Sequence, residues 1–75
     1  MTAIQLIKLM NQVPFEGFEI HLSDGTKIAV EHPYLVATNP HSSFCTIFDL
    51  PDQARYVSFR NITEVIVPLL ANSGE

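Results

Sequence analysis

The chain has 75 residues, a formal net charge of −4 and one cysteine, Cys45. This length fits a single domain, and a lone cysteine excludes both an intrachain disulfide and a zinc site built on cysteines. Four basic residues are scattered among eight acidic ones, which disfavours non-specific binding of nucleic acid through a basic patch. Only 16% of the residues are charged, against about 25% in a typical domain, so we expect some apolar side chains to meet another chain.

The N-terminal segment is predicted to form a helix from Thr2 to about residue 12. Thr2 and Gln5 have the spacing of a capping box, and Pro14 ends the helix by forcing Val13 out of the helical conformation. Six apolar residues recur at helical spacing: Ile4, Leu6, Ile7, Leu9, Met10 and Val13. We expect the helix to pack on the rest of the domain through Ile7, Met10 and their neighbours. Lys8 interrupts the apolar stretch and no small-residue cleavage site follows, so no secretory signal peptide is expected.

A β-hairpin is predicted next, with its first strand over Phe18–Leu22 and its turn at 23–25. The faces of the strands decide the length of this turn. A two-residue loop would place apolar residues opposite polar ones, whereas a three-residue turn places Ile20 opposite Ile28. The three-residue turn requires Gly25 in a left-handed conformation, which glycine adopts without strain.

The remainder of the chain is predicted to add short strands, for a total of about five. The second strand begins near Lys27 and is interrupted at His32–Pro33, because proline has no amide for the ladder. The other expected strand segments are 34–38, 44–50, 55–59 and 62–67. Turn signals every eight to twelve residues are typical of a small barrel or sandwich. The segments Tyr34–Ala37 and Val65–Val67 are apolar on both faces, so we expect the helix or another subunit to cover them.

Two resemblances accompany this pattern. The run Pro14-Phe15-x-x-Phe18-x-Ile20-x-Leu22-Ser23-Asp24-Gly25, followed by Val30-Glu31-His32-Pro33, resembles a family of short bacterial proteins to which no activity is attached. Over nearly the whole chain, a helix, a strand ending in Asp-Gly, a long bent second strand and a short closing strand resemble the Sm-like fold. The segment Phe59-Arg60-Asn61-Ile62-x-x-Val65 is similar to the second Sm motif, although Asn61 stands where that motif has glycine.

The Sm-like resemblance implies a mainly β protein: a small five-stranded antiparallel, SH3-like barrel with an N-terminal α-helix. It also implies assembly into a ring that binds RNA near its pore through Arg60 and Asn61, with Asn39 as a further candidate. Considered on its own, the Arg60–Asn61 pair is more simply a polar turn before the last strand. We expect one domain, with the helix over about 2–12, the barrel over about 15–68 and a tail over 69–75.

No catalytic or metal site is predicted. The three histidines, His21, His32 and His41, fall on different faces or turns and should not converge on a metal ion. We interpret Cys45 as a small buried or interface residue, Asp49 and Asp52 as turn residues, and Glu31 and Glu64 as isolated carboxylates. The aromatic residues Phe44, Phe48, Tyr56 and Phe59 could stack bases on a sheet face, but core positions are expected for them.

We therefore expect a non-enzymatic, cytoplasmic protein without a cofactor or a membrane partner. No apolar run approaches the roughly 18 residues of a membrane-spanning helix, and one cysteine is compatible with a reducing compartment. Homo-oligomerisation is expected through Val65, Ile66 and Val67, because a domain of this size is hard to stabilise alone. Two functions stay open: a ring-forming RNA-binding protein, or a protein-interaction or structural domain that assembles through exposed strand edges without nucleic acid.

Overall fold

The structure is a computed structural model that describes residues 1–68, so the predicted tail over 69–75 lies outside the described residues. Within residues 1–68, one N-terminal helix precedes six strands, which form two antiparallel three-stranded sheets. The elements are helix α1 (Ala3–Met10) and strands β1 (Phe18–Leu22), β2 (Lys27–Val30), β3 (Val36–Ala37), β4 (Phe44–Leu50), β5 (Gln53–Ser58) and β6 (Ile62–Ile66). Single 3-10 turns occur at Pro33–Leu35 and Phe59–Asn61. The predicted mainly β class and the N-terminal helix are confirmed.

Helix α1 begins at the predicted capping box. The backbone amide of Thr2 donates to Gln5 Oε1 (2.9 Å), and the amide of Gln5 donates to Thr2 Oγ1 (3.3 Å). The predicted packing face is only partly right. Ala3 and Leu6 are the buried residues of the helix, whereas Ile7, which was predicted to pack on the domain, is only half-buried and Ile4 is 54% exposed. Met10 packs against the core from a half-buried position, as Leu9 does. Apolar residues cover too much of this helix for spacing alone to choose the face.

The β1–β2 hairpin has the predicted register. Ile20 lies opposite Ile28 and Phe18 opposite Val30. The turn is closed by a hydrogen bond from the amide of Gly25 to the carbonyl oxygen of Leu22 (3.0 Å), and Gly25 has a φ of +92°. The three-residue turn and the left-handed glycine are therefore confirmed.

The bent second strand is divided between the two sheets. Tyr34 and Leu35 were expected in a strand, but they belong to the 3-10 turn Pro33–Leu35, and only β3 continues as strand. Tyr34 is 73% exposed, so the expectation that both faces of this segment are covered is wrong for this residue. Proline disfavours continuation of the ladder and fits the first position of a helical turn, which explains the break.

The two sheets are separate in their hydrogen bonding. Their strand orders are β2-β1-β6 and β3-β4-β5, and within residues 1–68 no ladder joins them. A closed five-stranded barrel is therefore not confirmed, and the strands number six because the turn at Pro33–Leu35 divides one of them. In this part of the chain, β5 pairs only with β4 and β6 pairs only with β1, so each has one edge without a partner strand.

The core contains residues of both sheets and of the helix. Among the described residues, its buried apolar members are Ala3, Leu6, Phe18, Ile20, Ile28, Val30, Val36, Cys45, Ile47, Val57, Phe59 and Ile62. Cys45 is buried as predicted, and burial raises the pKa of its thiol to about 11. Among the residues described, no helix is both long and apolar enough to cross a membrane.

Candidate functional site

The predicted nucleic-acid residues Arg60 and Asn61 lie in the 3-10 turn before β6, and both are exposed. Phe59 holds this turn in place, because its side chain is buried and its amide donates to the carbonyl oxygen of Ser43 (3.0 Å). This hydrogen bond brings the turn that follows Asn39 against the turn that contains Arg60. Asn39 itself accepts a hydrogen bond at Oδ1 from the amide of His41 (2.9 Å), so it shapes that turn.

Arg60 lines a cleft of about 310 Å³ between these two turns and the start of helix α1. We call this depression the Arg60 cleft. Its lining residues are Met1, Thr2, Ala3, Pro40, His41, Ser42, Ser43, Ser58, Phe59 and Arg60. None of them is an aspartate or a glutamate, although the chain as a whole is acidic. The cleft therefore combines one permanent cation, one histidine and several hydroxyl groups.

Asn61 belongs to a different depression. It lines a pocket with Ser23, Asp24 and Tyr56, and its carbonyl oxygen accepts from the amide of Ser23 (2.8 Å). A carboxylate in this pocket opposes the approach of a phosphate. Arg60 and Asn61, which the sequence pattern predicted to act together, thus line two separate depressions.

The predicted interface residues lie at the end of β6. Val65 is paired with Ile20 and is half-buried, whereas Ile66 is paired with Glu19 and is 44% exposed. Because side chains alternate along a strand, Ile66 lies on the outer face of the sheet. Val67, which follows the strand, is 36% exposed.

A cluster that the sequence pattern did not reveal surrounds His21. Its Nε2 lies 2.6 Å from Glu19 Oε1, and its Nδ1 lies 3.1 Å from Glu64 Oε1. The interpretation of Glu64 as isolated is therefore wrong. Glu19 and His21 share a face of β1 by simple alternation, but Glu64 is 43 residues from His21 and reaches it only because β6 pairs with β1.

The other candidate residues have structural partners. Asp49 is not simply a turn residue, because its Oδ1 accepts from Arg55 Nε at 2.9 Å within the β4–β5 hairpin. His32 stacks on Tyr34, with ring centroids 5.0 Å apart. Within residues 1–68, no three or more His, Cys, Asp or Glu side chains are placed to hold a metal ion.

Three of the four aromatic residues that were predicted to lie in the core lie instead on the outer face of β4 and β5. Phe44 is 46% exposed, Phe48 is 45% exposed and Tyr56 is 77% exposed, while only Phe59 is in the core. Phe44 and Tyr56 contact each other edge to face, with centroids 6.1 Å apart. The reason is strand alternation: Cys45 and Ile47 take the inward positions of β4.

Comparison of the chain with known protein families, with curated proteins and with solved structures finds no match.

Proposed function

We propose that this chain is a non-enzymatic module that assembles with copies of itself, β6 of one copy pairing with β5 of the next. The observation that carries the proposal is that, within residues 1–68, each of these strands has one edge without a partner strand. An unpaired edge presents a row of amide and carbonyl groups that another strand can satisfy.

The two edges differ, and this sets the kind of assembly. Contact between β6 and β5 is head-to-tail, so it generates a closed ring where the rotation between copies fits and a filament where it does not. We further propose that the two sheets are the halves of an Sm-like, SH3-like barrel. This is supported by the bent segment 27–37, which contributes β2 to one sheet and β3 to the other.

Apolar side chains beside both edges support this assembly. Ile66 and Val67 are partly exposed at the end of β6, and Tyr56 is 77% exposed on β5. Pairing of the strands would remove part of this surface from water, at roughly 25 cal/mol for each Å² of apolar area. A domain of this size buries a smaller fraction of its surface on folding than a larger domain does, so its core alone gives little stability. Burial of apolar surface between copies would add to that stability.

Sedimentation velocity at micromolar concentration tests the proposal. The wild-type protein should sediment as an oligomer, and Ile66→Lys should sediment as a folded monomer, because a charge at the end of β6 opposes burial of that edge. Ile4→Lys is the matched control, since Ile4 is equally apolar and 54% exposed but lies on helix α1. This control should remain oligomeric. A wild-type protein that stays monomeric would contradict the proposal.

A second candidate function is RNA binding, and the Arg60 cleft favours it. Its lining includes Arg60 and His41 and no carboxylate, and assembly would repeat this positive site once in every copy. Phosphate groups of RNA are bound by such cations with an affinity that falls as salt rises. Because the chain as a whole is acidic, we expect RNA to be attracted at the cleft and repelled by the rest of the surface.

Fluorescence anisotropy with a labelled single-stranded RNA tests the second candidate. We expect salt-dependent binding that Arg60→Gln weakens and Lys27→Gln leaves unchanged, since Lys27 is an exposed cation on β2, outside the cleft. The absorbance ratio at 260 and 280 nm of the purified protein reports any nucleic acid that it retains. Absence of binding at low salt would contradict RNA binding and leave assembly through the strand edges as the proposed function.

A further inference from the structure

His21 lies between two carboxylates on the outer face of the β2-β1-β6 sheet. Glu19 on its own strand contacts Nε2, and Glu64 on β6 contacts Nδ1. The His21 side chain is 18% exposed, against 45% for Glu19 and 58% for Glu64. We call this arrangement the His21 bridge.

The number of protons on the ring decides how many of these contacts are hydrogen bonds. An ionised carboxylate only accepts, so each of the two ring nitrogens must donate to its own partner. A neutral imidazole has one N–H and can serve one carboxylate, whereas the imidazolium has two and serves both. Hydrogen bonds between an imidazolium and a carboxylate are also stronger than those of neutral groups.

We propose that the His21 bridge is a proton-dependent latch that holds the edge strand β6 against β1. With His21 protonated, Glu19 fixes one side of the ring and the other side is bonded to Glu64. Loss of the ring proton as the pH rises removes one of these two bonds and leaves a carboxylate unpaired. The latch is therefore stronger when the ring carries two protons than when it carries one.

The charged groups around His21 come from all three strands. Besides Glu19 and Glu64, Lys27 lies opposite His21 on β2 and is exposed. Among the side chains of residues 1–68, only these two carboxylates lie within hydrogen-bonding distance of the ring. A further contact between the same strands does not depend on the ring, because Thr63 Oγ1 donates to the carbonyl oxygen of His21 (3.2 Å). Loss of the latch should therefore loosen β6 without releasing it.

The latch gives the proposed assembly a pH dependence, and this consequence rests on the proposed function. β6 is the strand whose free edge would pair with the next copy, so an acidic medium would hold that edge in its pairing geometry. The latch itself lies within one protomer and can be measured without assembly.

Hydrogen exchange along β6 tests the latch in a variant that removes the proposed contact between β6 of one copy and β5 of the next. Ile66→Ser is suited to this purpose, because a lysine opposite Glu19 would compete with His21 for that carboxylate. We expect the protection factors of β6 amides, corrected for intrinsic exchange, to fall about two- to fivefold between pH 5.5 and pH 8.0. This is the size of effect expected from losing one partly exposed charged pair. Protection of β4, which lies in the other sheet, should stay constant and serves as the internal reference.

Substitutions of the bridge complete the test. His21→Gln and Glu64→Gln, each added to Ile66→Ser, should abolish the pH dependence of β6 protection, and the exposed His41→Gln should preserve it. Glu64→Gln decides the matter where His21→Gln does not fold. Equal pH dependence with and without the bridge would overturn the latch. Sedimentation of the wild-type protein at both pH values separates the two proposals, since a monomer at each value overturns assembly while β6 protection still reports on the latch.

Discussion

Gly25 allows a sharp test of the hairpin, because its backbone conformation and its surroundings can be separated. Its φ is +92°, and a Cβ added at this position would meet nothing within 4 Å. Because the Cβ meets no neighbour, we expect the cost of Gly25→Val to come from the backbone conformation and not from a clash at Cβ. For an L-residue in the left-handed region this cost is roughly 1–2 kcal/mol.

The free energy of unfolding in urea, followed by circular dichroism, measures this cost. A loss of 1–2 kcal/mol corresponds to a fall in Tm of about 4–16 °C in a domain of this size. The measurement belongs in the Ile66→Ser variant, because association would make the apparent stability depend on protein concentration.

A residue of opposite chirality isolates the cause. The chain is short enough for chemical synthesis, and D-alanine at position 25 should be at least as stable as glycine, because D-residues favour positive φ. L-Alanine at the same position should be destabilised, although by less than valine, which is β-branched. Equal stability of the L- and D-alanine proteins would refute the argument from φ, and with it the three-residue turn that places Ile20 opposite Ile28.

Three further predictions concern the core and the titratable groups. Leu6→Ala should lower the free energy of unfolding by about 2–5 kcal/mol, because Leu6 is completely buried, whereas Ile4→Ala should have a much smaller effect in the same urea titration. Hydrogen bonds from the side chain and the backbone of Thr26 lower the pKa of Asp24, so this carboxylate contributes stability above its ordinary pKa that is lost as the pH falls through the lowered value. Melting curves between pH 2 and pH 6 should therefore show a smaller acid-induced loss for Asp24→Ala than for the wild type. The thiol of Cys45 should resist a thiol-specific reagent at pH 8 in the native protein and react in denaturant, and rapid native reaction would show that its site is open.

Prediction from sequence succeeded where the deciding contacts are short in range. The capping box joins residues three apart, and the hairpin register follows from the turn and from the strand residues next to it. It failed at Tyr34 and at the outward aromatic residues of β4 and β5. An apolar residue in a strand can lie on either face, and which face is covered depends on distant elements.

The sequence by itself determined the helix start, the Gly25 turn and the alternation that places Glu19 and His21 on one face of β1, because each is specified within a few residues. Only the tertiary structure decided that β6 pairs with β1, which brings Glu64 to His21 across 43 residues and leaves Ile66 on the outer face. It also placed Arg60 and Asn61 in separate depressions, because the turns against which they lie come from different parts of the chain. Pairing of distant strands depends on burial of one shared core, and no local pattern encodes which free edge another strand will occupy.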